Sequence, residues 1–315
     1  MCTAITYTAS DHYFGRNLDY EHSFGEEIVI TPRNFPLPFR HMKTLNSHFA
    51  LIGMAVVSEN FPLYFDATNE KGLSMAGLLF SENAFYRPLN NECDNIPSFE
   101  FIPWILSQCE TVADAKALIE KINITDDIFS PEFPSSPLHW IIADKKECIV
   151  VESLREGIFV YDNPVGVLTN NPPFPFQMFN LNNYMSLSNN PPKNTFSEKI
   201  NLSQYSRGMG AIGLPGDVSS ASRFVRASFT KLNSVSENDE KSAVAQFFHI
   251  LGGVRQIRGL VSLENGLYEI TQYSSCVNTD KGIYYYTTYD NLSINSVSLY
   301  STDLERNSLT ICPLG

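Results

Sequence analysis

Short apolar runs that alternate with polar positions dominate the first third of the chain. Ala4–Thr8, His12–Asn17 and Glu27–Thr31 read as strands, with turns at Ser10-Asp11 and Phe24-Gly25. Phe49–Val57 and Leu63–Ala67 repeat the pattern. Gly72–Phe80 is an apolar run with two glycines, expected to be a strand whose backbone runs close to another element. The period then changes. Phe99, Ile102, Ile105 and Leu106 predict a helix over Ser98–Cys109. Val112, Ala115, Leu118, Ile119 and Ile122 share one face of a second helix, Thr111–Ile122, which Thr111 and Asp114 open as a capping box. Strands return at Leu138–Ile142, Cys148–Ser153, Gly157–Tyr161 and Val165–Thr169. Helices follow at Ser219–Leu232 and Glu240–Leu251, the latter with Val244, Phe247, Phe248 and Leu251 on one stripe. Three closing strands are expected at Tyr268–Ser274, Gly282–Tyr289 and Asn295–Leu299. Strands, helices, strands, helices, strands: this order predicts an α+β fold with a largely antiparallel sheet, not a doubly wound one.

The periodicity lapses between Asn170 and Tyr205, a stretch rich in Asn, Pro and Ser with one short helix around Gln177–Tyr184. Such an excursion suits subunit contacts or an active-site wall. No repeat and no shift in composition marks a boundary, so residues 1–315 read as one domain. A chain of 315 residues buries about 75% of its unfolded surface and needs neither disulfide nor metal to fold. Lys and Arg number 22 against 34 Asp and Glu, a net charge of −12. No basic face for nucleic acid is visible, and an anionic ligand would have to be held by local groups and apolar contact. No apolar run approaches the ~20 residues of a membrane span. The start, Met1-Cys2-Thr3-Ala4-Ile5, has no charged n-region or apolar h-region. The six cysteines are scattered, with no CxxC pair. These features predict a cytoplasmic protein with reduced thiols.

The common cofactor and metal signatures are missing: no GxGxxG, Walker A, GxSxG or HExxH occurs. His139 and His249 lie in apolar stretches and read as satisfied core histidines. Cys2 is the unusual residue. If Met1 is removed, the chain begins with a nucleophile and a base in one residue. A thiol has an ordinary pKa near ~8.5 and an α-amine near ~7.7–8.0, so the amine can take the thiol proton and later protonate a leaving amine. Cys2 can equally be a small residue that opens a strand. Arg16 and Asp19, in Phe14-Gly15-Arg16-Asn17-Leu18-Asp19, sharpen the choice. A hairpin of the first two strands returns both charges to the Cys2 end, where Arg favours a thiolate and a carboxylate can hold an ammonium. A surface ion pair is the alternative.

Five segments then occur in order: Met1-Cys2-Thr3; Phe14-Gly15-Arg16-Asn17-Leu18-Asp19; Leu168-Thr169-Asn170-Asn171-Pro172; Gly213-Leu214-Pro215-Gly216-Asp217 with Ser222-Arg223-Phe224; and Gly282-Ile283-Tyr284-Tyr285-Tyr286. Together they resemble the choloylglycine hydrolase family, the bile salt hydrolases and penicillin V acylases, over nearly the whole chain. Phe99-Glu100-Phe101-Ile102-Pro103-Trp104, Pro137-Leu138-His139-Trp140 and Asn180-Leu181-Asn182-Asn183-Tyr184 are similar to the Gram-positive bile salt hydrolases in particular.

The resemblance implies an N-terminal-nucleophile hydrolase, an αββα sandwich with two largely antiparallel sheets between helix layers. It implies Cys2 as nucleophile once Met1 is gone, with Arg16 and Asp19 tuning thiol and amine. Asn170 would donate to the oxyanion and Arg223 would complete the polar shell, although a turn residue and a solvated charge are the bland readings of these two. Leu79 stands in Ala76-Gly77-Leu78-Leu79-Phe80 where bile salt hydrolases usually carry Asn and penicillin V acylases Tyr. Its backbone N–H can still serve as the second oxyanion donor. Tyr20, Phe24, Asn60, Phe61, Leu63, Ile128, Phe129 and Phe133 would line an apolar substrate pocket, or pack as core and lid. The implied reaction is hydrolysis of glycine or taurine conjugates of bile acids, without metal or organic cofactor. Penicillin V acylase, another N-acyl amide hydrolase, or a non-catalytic bile-acid binder are the alternatives. The family also implies a homotetramer, with residues 186–210 as the extended loop that reaches a neighbour.

Overall fold

The computed structural model describes residues 1–315. Two large sheets form its centre. The first runs, edge to edge, through Val167–Leu168, Cys2–Thr8, His12–Tyr20, Ile270–Asn278, Ile283–Thr288 and Asn295–Ser298. The second runs through Gly157–Asp162, Cys148–Leu154, Leu138–Ala143, Ser74–Leu79, Phe61–Asn69, Leu51–Ser58, Glu27–Thr31 and Thr310–Cys312. Every pairing within these two sheets is antiparallel. The sheets pack face to face, and helices cover both outer faces.

The layering follows from the period-2 pattern. In the second sheet Ile28, Ile30, Ile52, Ala76, Leu78, Ile141 and Val150 join the core shared with the first sheet. Their immediate neighbours Val29, Leu51, Met75, Trp140, Ile142 and Val151 turn the other way, onto the helices Phe101–Leu106 and Val112–Ile119. The helices Ser220–Leu232 and Glu240–Gly252 close the first sheet through Phe224, Ala227, Val244, Phe247 and Leu251. Both runs are thus buried on two faces, which is why they read as apolar stretches with only weak alternation. The result is the αββα sandwich that the family resemblance implies, with the antiparallel sheets that the element order predicts.

Several boundaries move. Ser98–Cys109 is not one helix: Ser98–Glu100 is a 3₁₀ turn and only Phe101–Leu106 is α-helical. Pro103 limits it, because proline has no N–H to give to the ladder. The capping box of Thr111 and Asp114 is present, but its helix stops at Ile119. Ile122, which fits the helical stripe, instead opens a strand, Ile122–Thr125, parallel to Asp94–Pro97. The excursion after Asn170 contains a helix at Phe174–Asn180, entered through Pro173, and a 3₁₀ turn at Leu181–Tyr184. The last strand, Thr310–Cys312, has no counterpart in the sequence reading. It pairs with Glu27–Thr31. Gly77 does mark a close approach: a Cβ there would lie 3.1 Å from Leu138 and 3.2 Å from Trp140 Nε1. Residues 186–210 form an irregular, largely exposed segment with outward Phe196 and Tyr205. No helix is long and apolar enough to cross a membrane.

Candidate active site

The first hairpin sets the geometry. Cys2 pairs with Leu18 and Ala4 with Arg16. Directly opposed residues of an antiparallel pair share a face, so Arg16 lies on Cys2's face, toward the second sheet. Asp19, one residue beyond Leu18, falls on the opposite face. Gly15 permits this packing, because a Cβ there would collide with the backbone of Ser275. Cys2 is 4% exposed, and Arg16, Asp19 and Arg223 are fully buried.

Asn170 joins the elements at this end. It lies two residues past Leu168, which pairs with Ala4, and so comes level with Cys2. Its Oδ1 accepts from the Cys2 backbone N–H at 2.8 Å and from Arg223 Nη2 at 2.7 Å. Its Nδ2 donates to the Leu79 carbonyl across the sandwich at 2.7 Å. Leu79 ends the strand Ser74–Leu79. The next residue, Phe80, donates its N–H to Pro137 at 2.8 Å. In an antiparallel ladder the N–H groups of successive residues point to opposite sides, so the Leu79 N–H turns away from that neighbour, to the side where its carbonyl meets Asn170.

Arg223, the fourth residue of the helix Ser220–Leu232, forks across the chain start. It donates to the Cys2 carbonyl, to Thr3 Oγ1 at 2.6 Å and, through Nε, to Val218 at 3.0 Å. Burial pulls its pKa below the ordinary guanidinium value, against the opposing pull of Asp19 and Cys2. Arg16 donates to the carbonyls of Phe65, at 3.0 Å, and Gly77. Burial works against its charge as well, but Cys2, Tyr273, Asp66 and Asp19 outweigh it and hold the pKa up. Asp19 accepts from Thr271 Oγ1 at 2.6 Å through Oδ1, while its buried Oδ2 has no partner. Burial raises its pKa, opposed by Arg223 and the chain's ammonium.

Met1 is in place. Its ammonium donates to the Asp19 carbonyl at 2.9 Å and pairs with Glu269, while its carbonyl accepts the Asp19 N–H at 3.0 Å. Burial lowers the pKa of this amine. The chain start is thus seated by backbone and charge, and Cys2 N is an amide as long as Met1 remains.

The five polar residues meet at one end of the hairpin, with Asp19 on the face away from Cys2, and the aromatic pocket candidates fall into two groups. Tyr20 and Phe24 pack with ring centres 4.7 Å apart and planes inclined by 39°, with Phe65 5.4 Å beyond Phe24. Phe61, Phe99, Phe129 and Phe133 make a second cluster, with Phe129 5.3 Å from Phe99 and 6.4 Å from Phe133. Phe61 is buried in the helix-side core, against which Phe129 also packs. Asn60 is an exposed turn residue with φ of 60°, a conformation Asn tolerates. Leu63 is half-buried and Ile128 is 49% exposed. Arg40 ties the loop of Ile128 and Phe129 through both of their carbonyls. His139 is a satisfied core residue as expected. His249 is not: it is exposed in the last turn of its helix, since it falls between the buried Phe247 and Ile250.

One buried network lay outside the sequence reading. Asp66 accepts from Tyr273 at 2.5 Å, Tyr284 at 2.7 Å and Ser275 at 3.2 Å, close behind Arg16. Its signal was a lone carboxylate in an apolar strand, which is seldom buried without partners.

This arrangement defines a class: an N-terminal-nucleophile hydrolase fold with a thiol at the chain start and buried hydrogen-bond donors around it. The sequence matches the choloylglycine hydrolase family of linear amide C–N hydrolases over residues 2–312, and the chain belongs to that family. It is 56% identical over 314 residues to the bile salt hydrolase/transferase of Lactiplantibacillus plantarum, covering 100% of this chain and 97% of that protein. Its fold matches a crystal structure of the conjugated bile acid hydrolase from Clostridium perfringens, an arginine variant, with a TM-score of 0.92 and 35% identity over 100% of this chain and 97% of the other. The penicillin V acylase of Agrobacterium tumefaciens shares the fold at a TM-score of 0.80 and 18% identity, covering 100% and 92%.

Proposed function

We propose that the protein hydrolyses the amide of glycine- and taurine-conjugated bile salts, with Cys2 as nucleophile after loss of Met1. The observation that carries this reading is the convergence of Arg16, Asn170 and Arg223 on a buried Cys2 at the first position of the first strand. The 56% identical relative that bears the bile salt hydrolase name supports the substrate.

Without Met1, Cys2 N becomes a free amine beside Asn170 Oδ1, with the unpartnered Asp19 Oδ2 on the same end of the hairpin. The amine takes the thiol proton and Arg16 favours the thiolate. Sulfur attacks the amide carbonyl carbon, and the oxyanion is held by Asn170 Nδ2 and the Leu79 N–H. For this the Asn170 donor must leave the Leu79 carbonyl, its partner here. Arg223 keeps the Asn170 amide oriented from the other side. The C–N bond then breaks, and the α-ammonium delivers a proton to the departing glycine or taurine. Water adds to the thioester, the amine accepts its proton, and the C–S bond breaks to release the bile acid. Tyr20, Phe24, Phe61, Leu63, Ile128, Phe129 and Phe133 are the contacts proposed for the steroid, with Asn60 at the rim.

A thioester is open to any amine that replaces water, and the Lactiplantibacillus plantarum relative carries the name hydrolase/transferase. Acyl transfer to an amino acid is therefore a second reading of the same intermediate. The exposed segment 186–210, with outward Phe196 and Tyr205, supports a homotetramer in which it reaches a neighbouring subunit. Six unpaired cysteines fit a reducing compartment such as the cytoplasm.

The test is amine release from glycocholate by protein whose N-terminal cysteine is verified by mass, with penicillin V in parallel. Faster release from glycocholate is expected. Faster release from penicillin V would transfer the protein to the acylase branch.

A further inference from the structure

The pair His139–Glu152 lies outside the five polar residues at Cys2, and both residues are fully buried. His139 Nε2 meets the Thr169 carbonyl at 2.9 Å. Nδ1 meets Glu152 Oε1 at 3.1 Å. Both ring nitrogens therefore face oxygen acceptors, which fixes the ring's orientation. The same Glu152 oxygen accepts the Phe174 N–H at 2.9 Å.

These contacts bracket Asn170. Thr169 immediately precedes it, and Phe174 opens the helix that ends the same short segment. On its other side the imidazole lies flat on Phe80, with ring centres 4.2 Å apart and planes inclined by 6°. Phe80 immediately follows Leu79. One buried ring thus touches the residue next to each of the two proposed oxyanion donors, which come from different sheets.

We infer that His139, held by Glu152, is a positioning residue that holds Asn170 in place for the oxyanion, opposite Leu79, through its contact with the Thr169 carbonyl. This rests on the oxyanion reading of Asn170 given above. Ser220 Oγ also holds the Asn170 N–H at 2.8 Å, and Gln177 reaches its carbonyl at 3.3 Å, so loss of His139 loosens the donor rather than removing it. The expected effect is about 10–100-fold in kcat, the range seen when a supporting shell fails, with KM nearly unchanged.

Two substitutions separate positioning from packing. His139→Gln keeps an amide N–H near the Nε2 position and the bond to Thr169. His139→Asn keeps one near Nδ1 and loses Thr169. Both remove the ring stack on Phe80 and should lower Tm to a similar extent. The inference predicts that His139→Asn loses about 10–100-fold in kcat and that His139→Gln recovers most of it. It also predicts that His139→Asn costs almost nothing further in an Asn170→Ala background, because the donor it positions is gone. Alkylation of Cys2 by iodoacetamide should proceed at the wild-type rate in both variants. Equal kcat losses in the two variants, or a full His139→Asn penalty on top of Asn170→Ala, would overturn the inference. An Asn170→Ala enzyme with wild-type kcat would instead overturn the oxyanion reading itself.

Discussion

Glu100 offers a prediction whose size follows from the structure. It is 3% exposed, its Oε1 accepts the Arg40 N–H at 2.9 Å, and its Oε2 has no partner. Burial pushes its carboxyl up to about 7, against the pull of the Arg40 N–H and charge, from an ordinary value of 4.5. At about 1.36 kcal/mol per pH unit, that gap corresponds to about 3 kcal/mol. Between pH 4.5 and 7 the folded chain holds a proton that the unfolded chain has released. The contribution is therefore fully present below 4.5, is lost as pH rises to 7, and is flat above. Glu100→Gln keeps an acceptor for Arg40 and cannot ionise. Urea unfolding of both proteins at about pH 4 and about pH 8 isolates the effect from all other titrating groups. The variant should gain about 3 kcal/mol relative to wild type between the two conditions. Because Arg40 also carries the carbonyls of Ile128 and Phe129, protease sensitivity of that loop in wild type should rise over the same window. A variant-minus-wild-type difference that does not change with pH would refute the reasoning.

Further outcomes follow from the same contacts. Protein that retains Met1 should be inactive, since Cys2 N is then an amide and the Met1 ammonium is tied to Asp19 and Glu269; intact mass and amine release on the same sample check this. Leu79→Asn leaves the backbone N–H and adds a side-chain amide at the half-buried strand end, so it should shift the rate or the ranking of glycine and taurine conjugates by less than the ~10²–10³ of losing a donor outright. If neither moves, the side chain at this position has no part in the reaction. Light scattering at micromolar concentration should give an oligomer that deletion of residues 186–210 dissociates; a monomeric parent protein contradicts the subunit role of that segment.

The α+β class and the antiparallel strands were legible because the strands stand out as short apolar runs and Thr111 and Asp114 announce a helix start directly, whereas the αββα layering came from the family resemblance. Ile122 misled for a physical reason: it completes a helical stripe in sequence, but the chain leaves the helix after Ile119 to pair with Asp94–Pro97. Arg16 could be placed beside Cys2 by counting through one hairpin. Asn170 and Arg223 could not. Asn170 meets Cys2 across a separation of 168 residues and Arg223 meets Asn170 across 53, so only the family resemblance pointed to them. Asp66 and the His139–Glu152 pair were missed because their partners arrive from other strands, and a buried polar group is recognisable only once those partners are known.

The most direct test of the account is Cys2→Ala, processed to a free N-terminal alanine and assayed on glycocholate beside the parent enzyme. Arg16, Asn170 and Arg223 make no hydrogen bond to the Cys2 thiol, so the variant should keep the wild-type circular dichroism and Tm within a few degrees. It should release no glycine above background, while the parent forms a covalent adduct whose mass increases by one cholyl group when quenched in acid. Turnover by the alanine variant, or a parent enzyme that releases glycine with its acyl group attached elsewhere than Cys2, would contradict it.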